Sequence, residues 1–139
     1  MTITAVNPLV MKDIEALFGA DPSAPDFRKH LDGVTFTPTA ATVSWTGLGQ
    51  NTHTDVSSAT WALVLSYVQD WDTTGSLSRF LYESEGLTIP VTFRPRSGVG
   101  PSFKANVVIT PGAIGGTVNA FAVTSVTLGS DRPVLVPAV

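Results

Sequence analysis

The sequence contains no cysteine, only two histidines and few charged residues. The absence of cysteine excludes disulfide bonds, thiolate chemistry and cysteine-based zinc sites. No apolar run approaches the roughly 20 residues that a membrane helix needs, so membrane insertion is not expected. The first residues, MTITAVNPLVMKD, lack the basic start and the cleavage site of a signal peptide, which predicts a cytoplasmic product.

The low charge points to an assembly. At 139 residues the chain fits a single domain, and charged residues make up 14% of it, against roughly 25% in an average soluble chain. A small domain with so little charge either exposes apolar surface or covers it in an assembly, and we expect the latter. The net charge of −3 and the scattered basic residues disfavour a module that binds duplex DNA.

Two periodic patterns follow each other between residues 61 and 86. The first alternates and predicts a strand with one apolar face, formed by Trp61, Leu63, Leu65 and Tyr67. The second has helical spacing and predicts one short helix over about residues 76–84, with an apolar stripe of Leu77, Phe80 and Leu81. Gly86 can supply the left-handed residue that ends this helix. The helix is too short to be stable alone and must pack on the sheet.

Shorter patterns predict six to eight strands in total, and therefore an antiparallel sandwich or barrel. The further strands are expected at residues 30–38, 43–45, 87–93, 103–109 and 117–128. Pro90 indicates an edge strand or a bulge, because proline cannot donate a hydrogen bond to a neighbouring strand. Residues 10–18 fit a helix and a strand equally well.

Turns and loops separate the strands. Gly115 and Gly116 lie in a turn, PGAIGG, that precedes the last strand. Residues 47–60, GLGQNTHTDVSSAT, are predicted to form a long polar loop, and loops of that length in compact domains are often functional. Residues 130–139 end in an apolar arm, VLVPAV, which is either fixed to the domain or used to contact a partner.

Side chains that could carry chemistry are few. His30 and His53 lack a second histidine or a cysteine at metal-binding spacing, so structural or exposed roles are expected. Asp70 and Asp72, with Asp55, could bind calcium or a glycan, but we favour a turn in which the two aspartates accept hydrogen bonds from nearby backbone while Trp71 packs beneath it. No catalytic motif is present. We therefore predict no catalytic, metal-binding or cofactor-binding residues and no enzymatic activity.

The order of these features resembles a bacteriophage major tail tube protein of the long-tailed, siphophage type. The resemblance covers roughly residues 10–135 and depends on an ordered set of short segments: residues 34–38, 61–71, 76–81, 93–95, 114–116 and 132–133. It implies a mainly β fold, a two-sheet antiparallel sandwich or barrel flanked by the one short helix, in a single domain spanning residues 1–139. It also favours a strand over a helix for residues 13–18.

The resemblance further implies a structural virion protein whose copies form hexameric rings. The rings would stack into the hollow tail tube through which phage DNA passes during delivery into the host, without specific binding. The implied partners are other copies of the chain, a tape measure protein, and the tail terminator and tail-tip proteins, in a virion tail assembled in the host cytoplasm. Contacts between subunits and rings are expected from the 47–60 loop and the terminal arms, with Gly49, Asn51, His53, Asp55, Val134 and Leu135 as candidates.

The negative charge of the chain suggests an acidic lumen, which would repel DNA and let it slide. Two other classes of protein fit less well. One is another ring-forming tail protein, such as a terminator or a tube-end adaptor, which would form one ring and stop. The other is a monomeric β-sandwich that binds a glycan through Trp45, Trp61 or Trp71, although the strand pattern places Trp61 on an apolar face.

Overall fold

The computed structural model describes residues 2–20, 24–96, 98 and 100–137. Within them, the chain forms nine strands and one helix. The strands are β1 (Glu15–Phe18), β2 (Leu31–Thr39), β3 (Thr42–Thr46), β4 (Thr52–Val56), β5 (Thr60–Val68), β6 (Thr88–Arg94), β7 (Ser102–Val108), β8 (Val123–Ser130) and β9 (Val134–Val136). The helix is α1 (Leu77–Glu83), between β5 and β6. The mainly β fold with one short helix is confirmed.

Seven strands form one antiparallel sheet in the order β1-β6-β7-β8-β5-β2, with β9 paired to the first half of β7. The sheet is strongly curled. Phe36 on β2 and Phe93 on β6 lie on strands separated by three others, yet their ring centroids are 6.3 Å apart. The curled sheet therefore encloses its own core, as expected for a barrel.

The core contains the apolar side chains that the alternating patterns place on one face, among them Val34, Leu63, Leu65, Tyr67, Val91, Ala105, Val107, Val126 and Leu128. These residues lie opposite one another across the strand pairs; for example, Val34 pairs with Leu65, which pairs with Val126. Because side chains opposite each other share a sheet face, the register brings them together on the inside of the curl.

Helix α1 closes one end of this core. Ser76 is its N-cap, and the Ser76 hydroxyl accepts a hydrogen bond from the backbone N–H of Arg79 at 3.5 Å. Leu77 and Leu81 are fully buried, and the ring of Phe80 packs edge-on against Phe18 at a centroid distance of 5.9 Å. The predicted helix and its apolar stripe are thus confirmed. A helix of seven residues is not stable alone, so this packing on the sheet holds it in place.

The predicted loop at residues 47–60 is wrong. Its second half, Thr52–Val56, is strand β4, which pairs antiparallel with β3 and leaves only residues 47–51 as the connecting turn. Threonine and valine favour extended backbone, and this preference outweighs the polar composition that suggested a loop. The second sheet of the fold is this two-stranded hairpin, separate from the seven-stranded sheet.

Two further expectations need correction. Residues 117–122 do not form a strand, and β8 begins at Val123. Pro90 lies neither on an edge strand nor at a bulge, because β6 pairs with β1 on one side and with β7 on the other. Pro90 is tolerated because β1 ends beside it: the Pro90 carbonyl accepts a hydrogen bond from Gly19 N–H at 2.8 Å, and its missing N–H points to the same side, away from β7.

The ends of the sheet differ. At β1, residues 25–27 run alongside the strand: Phe18 N–H donates to the Pro25 carbonyl and Phe27 N–H to the Ala16 carbonyl, both at 3.1 Å. The ambiguous segment 10–18 thus ends in the strand that the resemblance favoured. At the other end, β2 pairs only with β5 among the described strands. Its outer edge is free, and Pro38 lies within it, as is typical of an edge strand.

Candidate self-assembly surfaces

The hairpin of β3 and β4, hereafter the arm, is the most exposed element of the described chain. All ten of its strand residues are exposed. It continues from β2 and β5 beyond the main sheet, since only two residues separate β2 from β3 and only three separate β4 from β5. Two-stranded hairpins are marginally stable alone, so an arm of this kind is well suited to folding against a partner.

The arm has two chemically different faces. Residues directly opposite each other share a face, so one face carries the hydroxyl groups of Thr42, Ser44, Thr46, Thr52 and Thr54. The other face, hereafter the Trp45 face, consists of Val43, Trp45, His53 and Asp55. The Trp45 and His53 rings stack at 6.0 Å with 26° between their planes. Trp45 remains 62% exposed, which is unusual for so large an apolar side chain.

Four of the predicted contact residues lie on the arm. Gly49 and Asn51 are in the turn, and His53 and Asp55 are on β4. The turn closes through Gly47, whose N–H donates to the Asn51 carbonyl at 2.8 Å. A Cβ atom at Gly47 would clash with the Asn51 side chain and lie 3.0 Å from Trp45, so glycine allows the turn to pack against the indole. Leu48, at the tip, is fully exposed.

The other two predicted contacts, Val134 and Leu135, are in β9, apart from the arm. The predicted apolar C-terminal segment, residues 130–139, is therefore paired with the sheet through residues 134–136. Residues 138–139 lie outside the described part. Both side chains stay exposed. Leu135 belongs to the rim of an apolar groove at the mouth of the curled sheet.

This apolar groove has a volume of about 520 Å³. Its walls come from strands β2, β5, β6, β7 and β9 and include Phe36, Trp61, Phe93, Phe103 and Leu135. Leu9 and Met11, in the extended N-terminal segment, lie along one side, and Arg132 and Pro133 lie at another. Sequence reasoning did not find this groove, because it is formed by residues that the alternating patterns assign to the core.

The N-terminal segment, residues 2–13, adds further uncovered apolar surface. It contains no helix or strand, and Ile3, Val6, Leu9 and Val10 are all more than half exposed. Two described hydrogen bonds fix it to the domain: the Arg96 guanidinium donates to the Pro8 carbonyl at 3.1 Å, and the Arg28 guanidinium donates to the Asp13 carboxylate at 3.2 Å. Large apolar side chains are thus exposed both on this segment and on the arm, and contiguous apolar surface of this kind is typical of interaction sites.

The turn after β5 is as the sequence predicted for Asp70, but not for Trp71 or for Asp72, whose side chain accepts no hydrogen bond from a described residue. One Asp70 carboxylate oxygen accepts hydrogen bonds from the N–H groups of Asp72 and Thr73, both at 3.1 Å. Hydrogen bonds from Thr73 are the main reason why the pKa of Asp70 is lowered. Trp71 does not pack beneath the turn: it is 37% exposed and lies edge-on to Tyr82 on the surface.

Gln69 joins this turn to the predicted Gly115–Gly116 turn. Its side-chain amide forms a hydrogen-bonded pair with the backbone of Gly115: the Nε2 donates to the Gly115 carbonyl at 2.9 Å, and the Oε1 accepts from Gly115 N–H at 3.0 Å. Gly115 has a φ of +107°, and a Cβ atom at Gly116 would lie 3.0 Å from that of Ala122. Sequence reasoning assigned no such role to Gln69, since nothing local shows that its partner is 46 residues away.

An ion cluster fixes the segment beside β1. Arg28 forms ion pairs with Asp26 at 2.7 Å, Asp13 at 3.2 Å and Glu15 at 3.4 Å. Its hydrogen bond to Asp26 is the largest cause of the raised pKa of Arg28. These groups are partly exposed, so the pairs contribute little stability each, but they hold residues 25–27 along the edge of the sheet.

Among the described residues, the outer face of the sheet carries no charged residue from Gly33 to Thr37 on β2 or on the adjoining parts of β5 and β8; the exposed Asp32, at a bulge of β2, lies just before it. This face, hereafter the neutral face, is formed by Gly33, Thr35, Thr37, Ala62, Val64, Ser66, Ser125, Thr127 and Gly129. Their side chains point away from the core, as the buried neighbours Val34, Leu65 and Val126 show. An exposed sheet face normally carries charged side chains, so an uncharged face that spans parts of three adjacent strands is unusual.

The two histidines lie in different parts of the fold. Among the described residues, no three histidine or acidic side chains are placed to hold a metal ion. His30 packs against Phe27, and its buried Nδ1 has no hydrogen-bond partner there, whereas His53 lies on the exposed arm. In the described part of the chain, α1 has seven residues, and no helix has the length and apolar character required to cross a bilayer.

Comparison with known proteins gives a match in structure alone. No family model matches the sequence, and no curated protein sequence matches it. The fold matches a chain in the cryo-EM structure of an extracellular contractile injection system, the PVC sheath–tube complex in its extended state, with a TM-score of 0.66 at 14% sequence identity. The match covers 94% of this chain and 92% of the other, so the two chains have similar lengths. The resemblance to a tube protein is thus supported at the level of the fold, with a contractile injection system as the structural neighbour.

Proposed function

We propose that the chain is the tube subunit of a phage tail or a related injection particle. In this proposal, six copies form a ring and the rings stack into a hollow tube. The observation that carries it is the fold match to a chain of a sheath–tube complex over nearly the whole length of both chains. A shared fold alone does not define a function, so the surfaces of this chain must also be suited to assembly.

Three features of the described surface support assembly. The arm extends beyond the sheet with an exposed tryptophan, the N-terminal segment exposes five large apolar side chains, and the outer edge of β2 is unpaired. An unpaired edge and large apolar patches favour aggregation in a monomer unless a neighbour covers them. A ring of identical subunits would cover them through repeated head-to-tail contacts, and a second contact that does not close would allow rings to stack.

The neutral face is proposed to line the bore. If the sheets of six subunits join at their edges, one face of the combined sheet points towards the axis while the core and α1 lie outside it. A bore lined by the neutral face has no lysine or arginine to bind phosphate groups. DNA or another polyanion could pass through it without being held. The acidic lumen expected from the net charge remains a prediction. The neutral face is consistent with it only in having no lysine or arginine.

The remaining parts of the proposal follow from the resemblance. The chain would act as a structural component without enzymatic activity, in a particle assembled in the host cytoplasm. A tape measure protein would set the length of the tube, and terminator and tip proteins would bind its ends. In a contractile particle, a sheath would surround the tube; the structural neighbour comes from a complex of sheath and tube.

Self-assembly of the purified chain tests the proposal. Light scattering and negative-stain electron microscopy on the same concentrated sample should reveal hollow filaments of stacked rings. Single rings that never stack would instead indicate a terminator or adaptor. A chain that stays monomeric at high concentration, and still does so when seeded with tail-tip complexes, would contradict the proposal.

A further inference from the structure

We propose that the Trp45 face of one copy docks into the apolar groove of the next copy. The inference rests on the proposed self-assembly and specifies one contact within it. The arm offers a large exposed aromatic side chain, and the groove offers an apolar recess within the same chain. Two different surfaces that fit each other make a head-to-tail contact, which repeats from copy to copy.

The sizes of the two surfaces agree. The groove of about 520 Å³ is large enough for an indole ring, and its walls include the aromatic side chains of Phe36, Trp61, Phe93 and Phe103. Aromatic rings prefer edge-on or offset contacts with one another, which such walls can provide. Tryptophan buries a large area with few rotatable bonds, and it is enriched among the residues that dominate binding energy at interfaces.

The charges of the two surfaces also agree. Asp55 lies on the Trp45 face, and its only described hydrogen bond is from the neighbouring Val56 N–H. Arg132 lies at the groove and forms no ion pair with any described residue. Docking of Trp45 would bring the Asp55 carboxylate towards the Arg132 guanidinium. Complementary charges of this kind orient a contact and exclude wrong registers.

The occupant is a second copy because the arm does not reach its own groove in the described structure. Trp45 stacks on His53 of its own arm, and no residue of the arm is among the described residues that line the groove. The N-terminal segment is the main competitor, since Leu9 and Met11 already line one side of the groove. These two residues are themselves 61% and 41% exposed, so they border the recess without filling it.

Disulfide trapping tests the contact directly, because the chain has no cysteine of its own. Asp55→Cys is made in one preparation and Arg132→Cys in a second, and one of them carries a larger tag so that the mixed dimer has its own mass. A disulfide requires the two Cα atoms to approach within about 7 Å. We expect rapid formation of the mixed dimer under mild oxidation. A matched mixture of Asp55→Cys with Glu83→Cys, which lies on α1 outside the groove, should give little.

Trp45→Ala, added to the Asp55→Cys chain, should lower the rate of mixed-dimer formation at least about tenfold, the effect of removing a central aromatic anchor. Val56→Ala is the matched control, because Val56 is equally exposed but lies on the opposite face of the arm. Its effect should be less than about twofold. Both side chains are more than half exposed, so neither variant should unfold the domain.

The outcomes separate this contact from the tube function. Filaments without the mixed disulfide would leave the tube intact and overturn the docking. A strong disulfide that depends on Trp45, without filaments, would support the docking and contradict the tube. A rate that is unchanged by Trp45→Ala would also overturn the docking, since the N-terminal segment or another surface would then occupy the groove.

Discussion

The hydroxyl group of Tyr67 occupies the space that a Cβ atom at Gly112 would need. Tyr67 is buried on β5, and Gly112 lies in the long connection between β7 and β8. The ring carbon that bears the hydroxyl would lie 3.3 Å from the added atom. The connection therefore packs closely over the end of β5, and only glycine allows this approach.

Gly112→Ala should destabilise the domain by about 1–3 kcal/mol, because the new methyl group must displace a buried tyrosine or move the backbone. Chemical denaturation measures the loss. Gly129→Ala is the matched control: it makes the same chemical change on β8, where no atom lies within 4 Å of the new Cβ, and it should have little effect. Equal losses in the two variants would contradict the close packing of Tyr67 on Gly112.

Leu81→Ala should cost about 2–5 kcal/mol, since Leu81 is fully buried where α1 packs on the sheet. The same substitution at Leu48, at the exposed tip of the arm, should leave the free energy of unfolding of the monomer nearly unchanged. Denaturation in urea compares the two variants. A loss below about 1 kcal/mol for Leu81→Ala would mean that α1 is not held by this contact.

Asp70 should make stability depend on acid pH. Hydrogen bonds from Thr73 lower the pKa of Asp70 in the folded chain, so the folded state favours the carboxylate. This stability is present above the ordinary pKa of about 4 and is lost as pH falls through the lower folded pKa. Asp70→Asn should therefore be less stable than the parent at pH 7, and the difference should shrink below about pH 4.

Asp72→Asn is the control for that prediction, because the Asp72 side chain accepts no described hydrogen bond. The denaturation midpoint of each variant would be measured between pH 2 and pH 8. If the difference in denaturation midpoint between Asp70→Asn and the parent does not vary with pH, the charge of the Asp70 carboxylate does not stabilise the turn.

Tyr67 should make stability depend on alkaline pH. Burial raises the pKa of Tyr67, because the phenolate would be desolvated. The unfolded chain ionises first, so this part of the stability is present below about pH 10 and is lost as pH rises through the higher folded pKa. The free energy of unfolding of Tyr67→Phe should decline less between pH 9 and pH 11 than that of the parent. Parallel pH profiles would contradict the prediction.

Most of the strands, the helix and most of the core could be predicted from the sequence, because their patterns are local. Leu63, Leu65 and Tyr67 alternate, and Leu77 and Leu81 repeat at helical spacing, so burial follows directly from the period. Pro90 shows the limit of this approach. Its effect depends on where β1 ends, 72 residues earlier in the chain, and a single segment does not contain that information.

The first strand of the arm was predicted at residues 43–45, but β4, and with it the hairpin, was not, although a signal for it exists. Thr42, Ser44 and Thr46 precede the turn, and Thr52, Thr54 and Val56 follow it, so two alternating hydroxyl-rich segments flank a glycine-containing turn. The hydroxyl groups and charges suggested a polar loop, whereas the β-branched residues at most of the alternating positions indicated a hairpin. The groove, in contrast, requires the curl of the whole sheet and could not be predicted from local pattern.

The neutral face leads to a prediction about the assembled tube. Thr127→Cys, labelled with a bulky maleimide reagent, should give extra density inside the bore, because Thr127 lies on the neutral face, opposite Val64 of the central strand β5. The chain has no other cysteine, so the label is confined to one site. Glu83→Cys, on α1, should place the label outside the bore. Thr127 label density on the outside would contradict the proposed orientation of the sheet.

Cryo-electron microscopy of end-on views of the assembled chain tests the central claim most directly. The tube proposal predicts filaments with an open axial channel and six identical subunits around it, each with the curled sheet towards the axis and α1 outside. Filaments without a channel, or a concentrated and seeded sample that contains only monomers, would contradict it.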